Sequence, residues 1–217
     1  MRIKNVVLVS TAMMFAATAF AQNTPKWELY GDYSYMQFNP TLNGLQSRAL
    51  NGGGGGFQVN FGRYFGIKGD FQGYGSTQWT LTSTGPTVTP HGTIPVGTFK
   101  SNANMFTYLF GPVVGVHTNR FYVFGEFLMG QSNINGYGEL AKAINSGGGT
   151  VTNVEGTQHP FTWAGGGGLD WRVNKTVAFR LGELDYIATR LTNPFTSTNN
   201  QNSFRYLGGI VFTFGAQ

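Results

Sequence analysis

Residues 204–214 read F-R-Y-L-G-G-I-V-F-T-F, and their two alternate sets differ in character. Phe204, Tyr206, Gly208, Ile210, Phe212 and Phe214 form one set; Arg205, Leu207, Gly209, Val211 and Thr213 form the other. Period-2 alternation of this kind predicts a strand with one aromatic face and one mixed face that carries a charge. The segment has about the length of a membrane-crossing strand. Lying almost at the chain end, it can close a sheet on itself by pairing with the first strand, which removes both edges.

The same alternation recurs upstream. Residues 27–38 set Trp27, Leu29, Gly31, Tyr33 and Tyr35 against Glu28, Tyr30, Asp32 and Ser34. Residues 52–62 set Phe57, Val59 and Phe61 against Gln58 and Asn60. Residues 66–78 place Ile67, Phe71 and Thr77 opposite Lys68, Asp70, Gln72, Tyr74 and Ser76. Residues 104–116 align Phe106, Tyr108, Phe110, Val114 and Val116. Residues 121–134 oppose Val123, Phe127 and Met129 to Tyr122, Phe124, Glu126 and Ser132. Residues 161–173 oppose Phe161, Trp163, Leu169 and Trp171 to Thr162, Asp170 and Arg172. In residues 177–190 the alternation fails, because Arg180 has opposite parity to Glu183 and Asp185. Either Arg180 snorkels toward an interface from the outer face, or a β-bulge turns it inward.

These segments make eight predicted strands. Polar loops over 39–51, 79–99, 135–160 and 191–202 alternate with tight turns at 63–65, 117–120 and 174–176. Within the longest loop, Glu139 to Ile144 predicts one or two helical turns. Alternating long and short connections are the pattern of outer-membrane barrels, whose turns face the periplasm and whose loops face outward. Trp163 and Trp171 share the outward face and lie about 20 Å apart along the membrane normal, a spacing that suits two aromatic girdles. The expected architecture is all-β: an eight-stranded antiparallel up-and-down transmembrane β-barrel.

Composition sharpens this reading. Charged residues are 11% and aromatic residues 15% of the chain, which argues against disorder. Seven of the nine acids, Glu28, Asp32, Asp70, Glu126, Asp170, Glu183 and Asp185, fall on non-aromatic strand faces. A water-soluble barrel places charges outward and aromatics inward; lipid inverts that arrangement. Lys68, Arg172 and Arg205 share the inward face with the acids, so these ten residues are expected to form a charge network in the lumen. Asp170 with Arg172, and Lys68 with Asp70, stand as same-face neighbours, whereas Glu126 and Asp32 are expected further from any base.

The amino terminus predicts a signal peptide over residues 1–21. Arg2 and Lys4 precede an apolar run from Val6 to Ala17, and Ala19-Phe20-Ala21 forms the cleavage site. The domain is then 22–217. Removing Arg2 and Lys4 from 14 bases leaves 12 against 9 acids, a net charge of +3 that does not argue for nucleic acid. The absence of cysteine excludes a disulfide scaffold.

Five segments carry a family resemblance: E-L-Y-G-D-Y-S-Y-M (28–36), L-F-G-P-V (109–113), G-G-G-L-D-W-R (166–172), L-D-Y-I-A-T-R (184–190) and L-G-G-I-V-F-T-F-G (207–215). They resemble the bacterial outer-membrane β-barrel domain family, which is similar to the membrane domain of outer membrane protein A. The resemblance implies a fold and no particular chemistry. It also implies location in the cell outer membrane and assembly by machinery that reads the C-terminal strand. Outer membrane protein A continues into a peptidoglycan-binding domain, and this sequence ends at Gln217.

Chemical motifs are sparse. The glycine run 52–56 lacks the Gly-Lys-Ser/Thr of a phosphate loop. Residues 136–141 match a dinucleotide fingerprint in letters but lack the βαβ setting. His91, His117 and His159 do not converge in sequence on a metal site; for a Ser–His pair, His117 stands at the turn end with no serine beside it, and Ser132 faces inward across the barrel. No cofactor, metal or catalysis is expected. The expected role is structural or surface-interacting, in a monomer whose partners are outer-membrane lipid and an unidentified loop ligand. The alternatives are a narrow cation-selective pore, which the excess of inward acids would favour if water entered, and a lipid-modifying enzyme.

Overall fold

A computed structural model describes residues 24–39, 47–191 and 201–216. The proposed signal peptide and much of the first and last long loops lie outside these residues. Eight strands close a barrel: β1 (Pro25–Phe38), β2 (Arg48–Phe61), β3 (Phe65–Ser83), β6 (Gly97–His117), β7 (Phe121–Ile134), β8 (Phe161–Arg172), β9 (Val177–Thr189) and β10 (Gln201–Ala216). Each pairs antiparallel with its neighbours in the barrel, and β10 closes the cylinder on β1, with Trp27 opposite Phe214 and Met36 opposite Arg205.

The alternation sorts as lipid requires. Trp27, Leu29, Phe65, Phe110, Phe127, Trp171, Phe179, Ile210, Phe212 and Phe214 are exposed on the outer wall, whereas Lys68, Asp70, Glu183 and Arg205 are sealed inside. Water would penalise both halves of that arrangement, and a hydrocarbon surround penalises neither. The glycine run serves packing. It lies in β2 beside β1 and β3, and a side chain at Gly56 would collide with the Tyr30 hydroxyl and the Gly69 carbonyl.

Residues 79–99, expected as a loop, are largely strand. β3 and β6 stay paired up to Ser83 opposite Gly97, past a register shift between Tyr74 and Thr77. The small hairpin β4 (Thr87–Thr89) and β5 (Gly92–Ile94) follows at the tip. The Thr- and Gly-rich composition hid an alternation in which Trp79 and Leu81 are buried. β2 likewise starts at Arg48, ahead of its glycines. The expected helical turns are a longer helix, α1 (Gly136–Ser146), whose Tyr137, Leu140 and Ile144 are buried.

Those buried faces join the barrel. Met36, Leu109, Leu128, Ala164 and Ile187 belong to one hydrophobic cluster with Trp79, Leu81, Phe99, Tyr137, Leu140 and Ile144. The link is aromatic: Phe38 of β1 stacks on Trp79 at 5.2 Å, and Trp79 meets Tyr137 edge-on at 5.3 Å. The loop side of the barrel is thus roofed by a second apolar core, continuous with the upper lumen.

Candidate functional site

Below that apolar core the lumen is ionic. Lys68 Nζ donates to Glu126 Oε2 at 2.8 Å and to Glu183 Oε2 at 2.7 Å. Arg180 grips Asp170 with Nε and Nη2, at 3.0 and 3.3 Å, and gives Nη1 to Glu183 Oε2 at 2.8 Å. Arg205 donates to Asp185 Oδ2 through Nε and Nη2, at 2.9 and 2.7 Å, and to Asp70 Oδ2 at 2.6 Å. All three bases are almost completely buried, so each depends on these partners for the solvation it has lost.

Aromatic rings complete the cage. Tyr30 lies under Arg180 at 4.4 Å and near Lys68 at 5.1 Å, and Phe124 lies 5.0 Å from the same guanidinium. The negative ring faces favour both cations. The Tyr30 hydroxyl donates to Asp70 Oδ1 at 3.0 Å, and Gln72 Nε2 donates to the same oxygen at 3.0 Å.

Three sequence-based pairings are corrected. Asp170 takes Arg180 as its partner, not Arg172. Arg172 is half-buried beside Asp170 at the turn end and makes no ion pair with a described residue. Lys68 reaches across the lumen to Glu126 and Glu183 rather than along its own strand to Asp70. Glu126, expected far from any base, is therefore paired. Asp32 is the carboxylate that lacks a partner: neither oxygen is hydrogen-bonded to a described residue.

The facing of Arg180 follows from a bulge at Leu181. On one side Glu183 pairs with Leu207 and Arg180 with Gly209; on the other, Gly182 pairs with Leu169 and Arg180 with Asp170. The extra residue turns Leu181 outward and lets Arg180 and Glu183 both enter the lumen. Broken parity in the sequence was the signal for it.

His117 was missed. Its side chain is 5% exposed, stacks on Tyr122 at 3.8 Å and places Nε2 3.5 Å from Glu28 Oε1, which also accepts from Asn60 Nδ2 at 2.8 Å. A cavity of about 10 Å³ lies beside Glu28, His117, Tyr122, Asp170, Arg172 and Thr213, at the lower limit for a single water. His117 follows a strand face in the alternation, and its position at a turn disguised its burial.

No protein-family profile matches the chain, and no curated protein matches it in sequence. Solved structures do. The outer membrane protein OprG from Pseudomonas aeruginosa aligns at TM-score 0.56 and 13% identity, over 90% of this chain and 98% of that one. Neisserial surface protein A aligns at TM-score 0.56 and 8% identity, over 87% of this chain and 97% of that one. This chain has the fold of the small bacterial outer-membrane β-barrels. Its apolar outer wall and ionic lumen are the physical counterpart of that likeness, and they place it in the outer membrane.

Proposed function

We propose that this barrel is closed to ions, performs no catalysis and serves as a structural or surface-interaction protein. The observation that carries the reading is the continuity of apolar packing from Met36, Leu109, Leu128 and Ile187 into α1 and the long hairpin. An ion crossing that layer would shed most of its water at a cost of several kcal/mol, and the hydroxyls there, such as those of Ser132, Thr162 and Thr189, already bond to one another. The cavity at the turn end has room for no more than about one water, which supports the same reading. Ser132, the serine considered for catalysis, shares a hydrogen bond of 2.7 Å with Thr162 inside the lumen, which supports a packing role. The barrel acts as a monomer, is recognised by the assembly machinery through β10, and presents the β3–β6 hairpin and α1 as its contact surface outside the cell.

The direct test is current through planar bilayers containing the refolded barrel. The expected result is no resolved conductance step at neutral pH. Stable cation-selective steps would overturn the proposal in favour of the pore.

Orientation has its own test. Glu155 is exposed in the segment that follows α1, whereas the carboxylates of the barrel are enclosed. A glutamate-specific protease added to intact cells should cut after Glu155 and leave the barrel otherwise whole. Cutting only after deliberate permeabilisation would place the roofed end in the periplasm.

A further inference from the structure

The lumen network divides its five central carboxylates into two kinds. Asp70 uses both oxygens, Oδ1 accepting from Tyr30 and Gln72 and Oδ2 from Arg205. Asp170 likewise uses both, on Arg180. Glu126, Glu183 and Asp185 behave differently. Each commits one oxygen to the bases and leaves the other, Oε1, Oε1 and Oδ1 respectively, buried without a hydrogen-bond partner among the described residues. Arg205 Nη2 lies 3.9 Å from Glu183 Oε1, beyond bonding distance.

Those three carboxylates are also the group that converges, with one oxygen from each lying within 4.8 Å of the others. A cation touching all three at the Ca–O distance of about 2.3–2.6 Å needs donors no more than about 5 Å apart. Charge points the same way. Among the ion-paired groups, Asp70, Glu126, Asp170, Glu183 and Asp185 oppose Lys68, Arg180 and Arg205, five negative groups to three positive ones, and the unpartnered Asp32 stands near them. A buried surplus of two negative charges is costly unless something positive offsets it. No donor of a described residue reaches the three oxygens left over.

We infer that Glu126, Glu183 and Asp185 bind one hard divalent cation, of the Ca2+ class, inside the barrel. Three carboxylate oxygens and no sulfur or imidazole is a donor set suited to such an ion and poorly suited to zinc or copper. A divalent charge would neutralise the five-to-three imbalance. With the lumen roofed on the loop side, the ion enters during folding and is retained afterwards.

The test is metal content after refolding. Wild-type barrel is refolded from urea into detergent micelles in millimolar CaCl2, passed over a chelating resin, and assayed by plasma mass spectrometry. The expected result is about one Ca2+ per folded chain, falling at least fivefold in Asp185→Asn and in Glu126→Gln. Only a trace in the wild type would overturn the site and mean that protons offset the surplus charge. Equal retention by wild type and both variants would overturn it too, by locating the ion elsewhere. Should the variants fail to fold, crystals of the wild type refolded with Mn2+ decide. An anomalous peak among the three carboxylates supports the site, and its absence there refutes it.

Discussion

Replacing Arg180 with alanine should cost the folded barrel about 3–5 kcal/mol, the range seen when one partner of a fully buried ion pair is removed. Arg180 and Asp170 have side chains 1% and 3% exposed, so solvent screens little of the loss. The substitution strips Asp170 of the donors to both its oxygens and removes one of two bases on Glu183 Oε2. It also empties the space between Tyr30 and Phe124. Arg172→Ala is the contrast. That side chain is half-buried and without an ion-pair partner among the described residues, so its loss should stay within about 1 kcal/mol. Urea unfolding of both variants in lipid vesicles, followed by tryptophan fluorescence, compares them directly. Deleting Asp170 together with Arg180 should recover part of the stability, because no orphaned carboxylate would remain at that position. A larger loss for Arg172→Ala than for Arg180→Ala would show that the ionic partners have been misassigned.

Trp79→Ala should unroof the barrel without dissolving it. Trp79 is 2% exposed and bridges Phe38 on the lumen side to Tyr137 on α1. Truncating a tryptophan in such a place typically costs about 3–5 kcal/mol through lost burial and the cavity left behind. The loss falls on the contact between roof and barrel, since strand pairing around the lumen does not pass through this side chain. Helix α1 should therefore open locally while the barrel remains assembled. Lys142 reports this conveniently: its side chain is 69% exposed but sits on a helix that trypsin cannot cleave until it unwinds. Cleavage after Lys142 should accelerate by at least tenfold in the variant. Trp79→Phe should lose far less, as it keeps most of the ring packing and removes an indole N–H that has no partner among the described residues. Unchanged cleavage in Trp79→Ala would mean that α1 is held by other contacts, and the closed-barrel reading would lose its main support.

The architecture was legible from local chemistry because a membrane-spanning strand carries its environment in its own alternation. Phe204 to Phe214 displays two faces that only a lipid exterior and a polar interior satisfy together, and β10 lies in the wall with that facing. The acids were equally legible: Glu28, Asp70, Asp170 and Glu183 are buried where their parity puts them. Even the exception at Arg180 was visible as a parity break, although parity could not choose between lipid and lumen.

Tertiary structure decided the partners. Lys68 and Glu126 are 58 residues apart, and Arg205 and Asp70 are 135 apart, joined across a lumen whose width and stagger no single strand encodes. Sequence neighbours two apart on one strand point the same way but do not necessarily turn toward each other, so Asp170–Arg172 failed as a pair. A long base finds its acid either on the strand paired beside it, as Arg180 does Asp170 and Arg205 does Asp185, or across the cylinder, as Lys68 does Glu126 and Glu183. The roof was hidden for a related reason. Trp79, Tyr137 and Leu140 stand in stretches rich in Thr, Gly and Asn, and their burial comes from β3, β6 and α1 meeting above the lumen. Alternation tells a residue which side of its own strand it occupies; which residue waits on the far side is a property of the closed barrel alone.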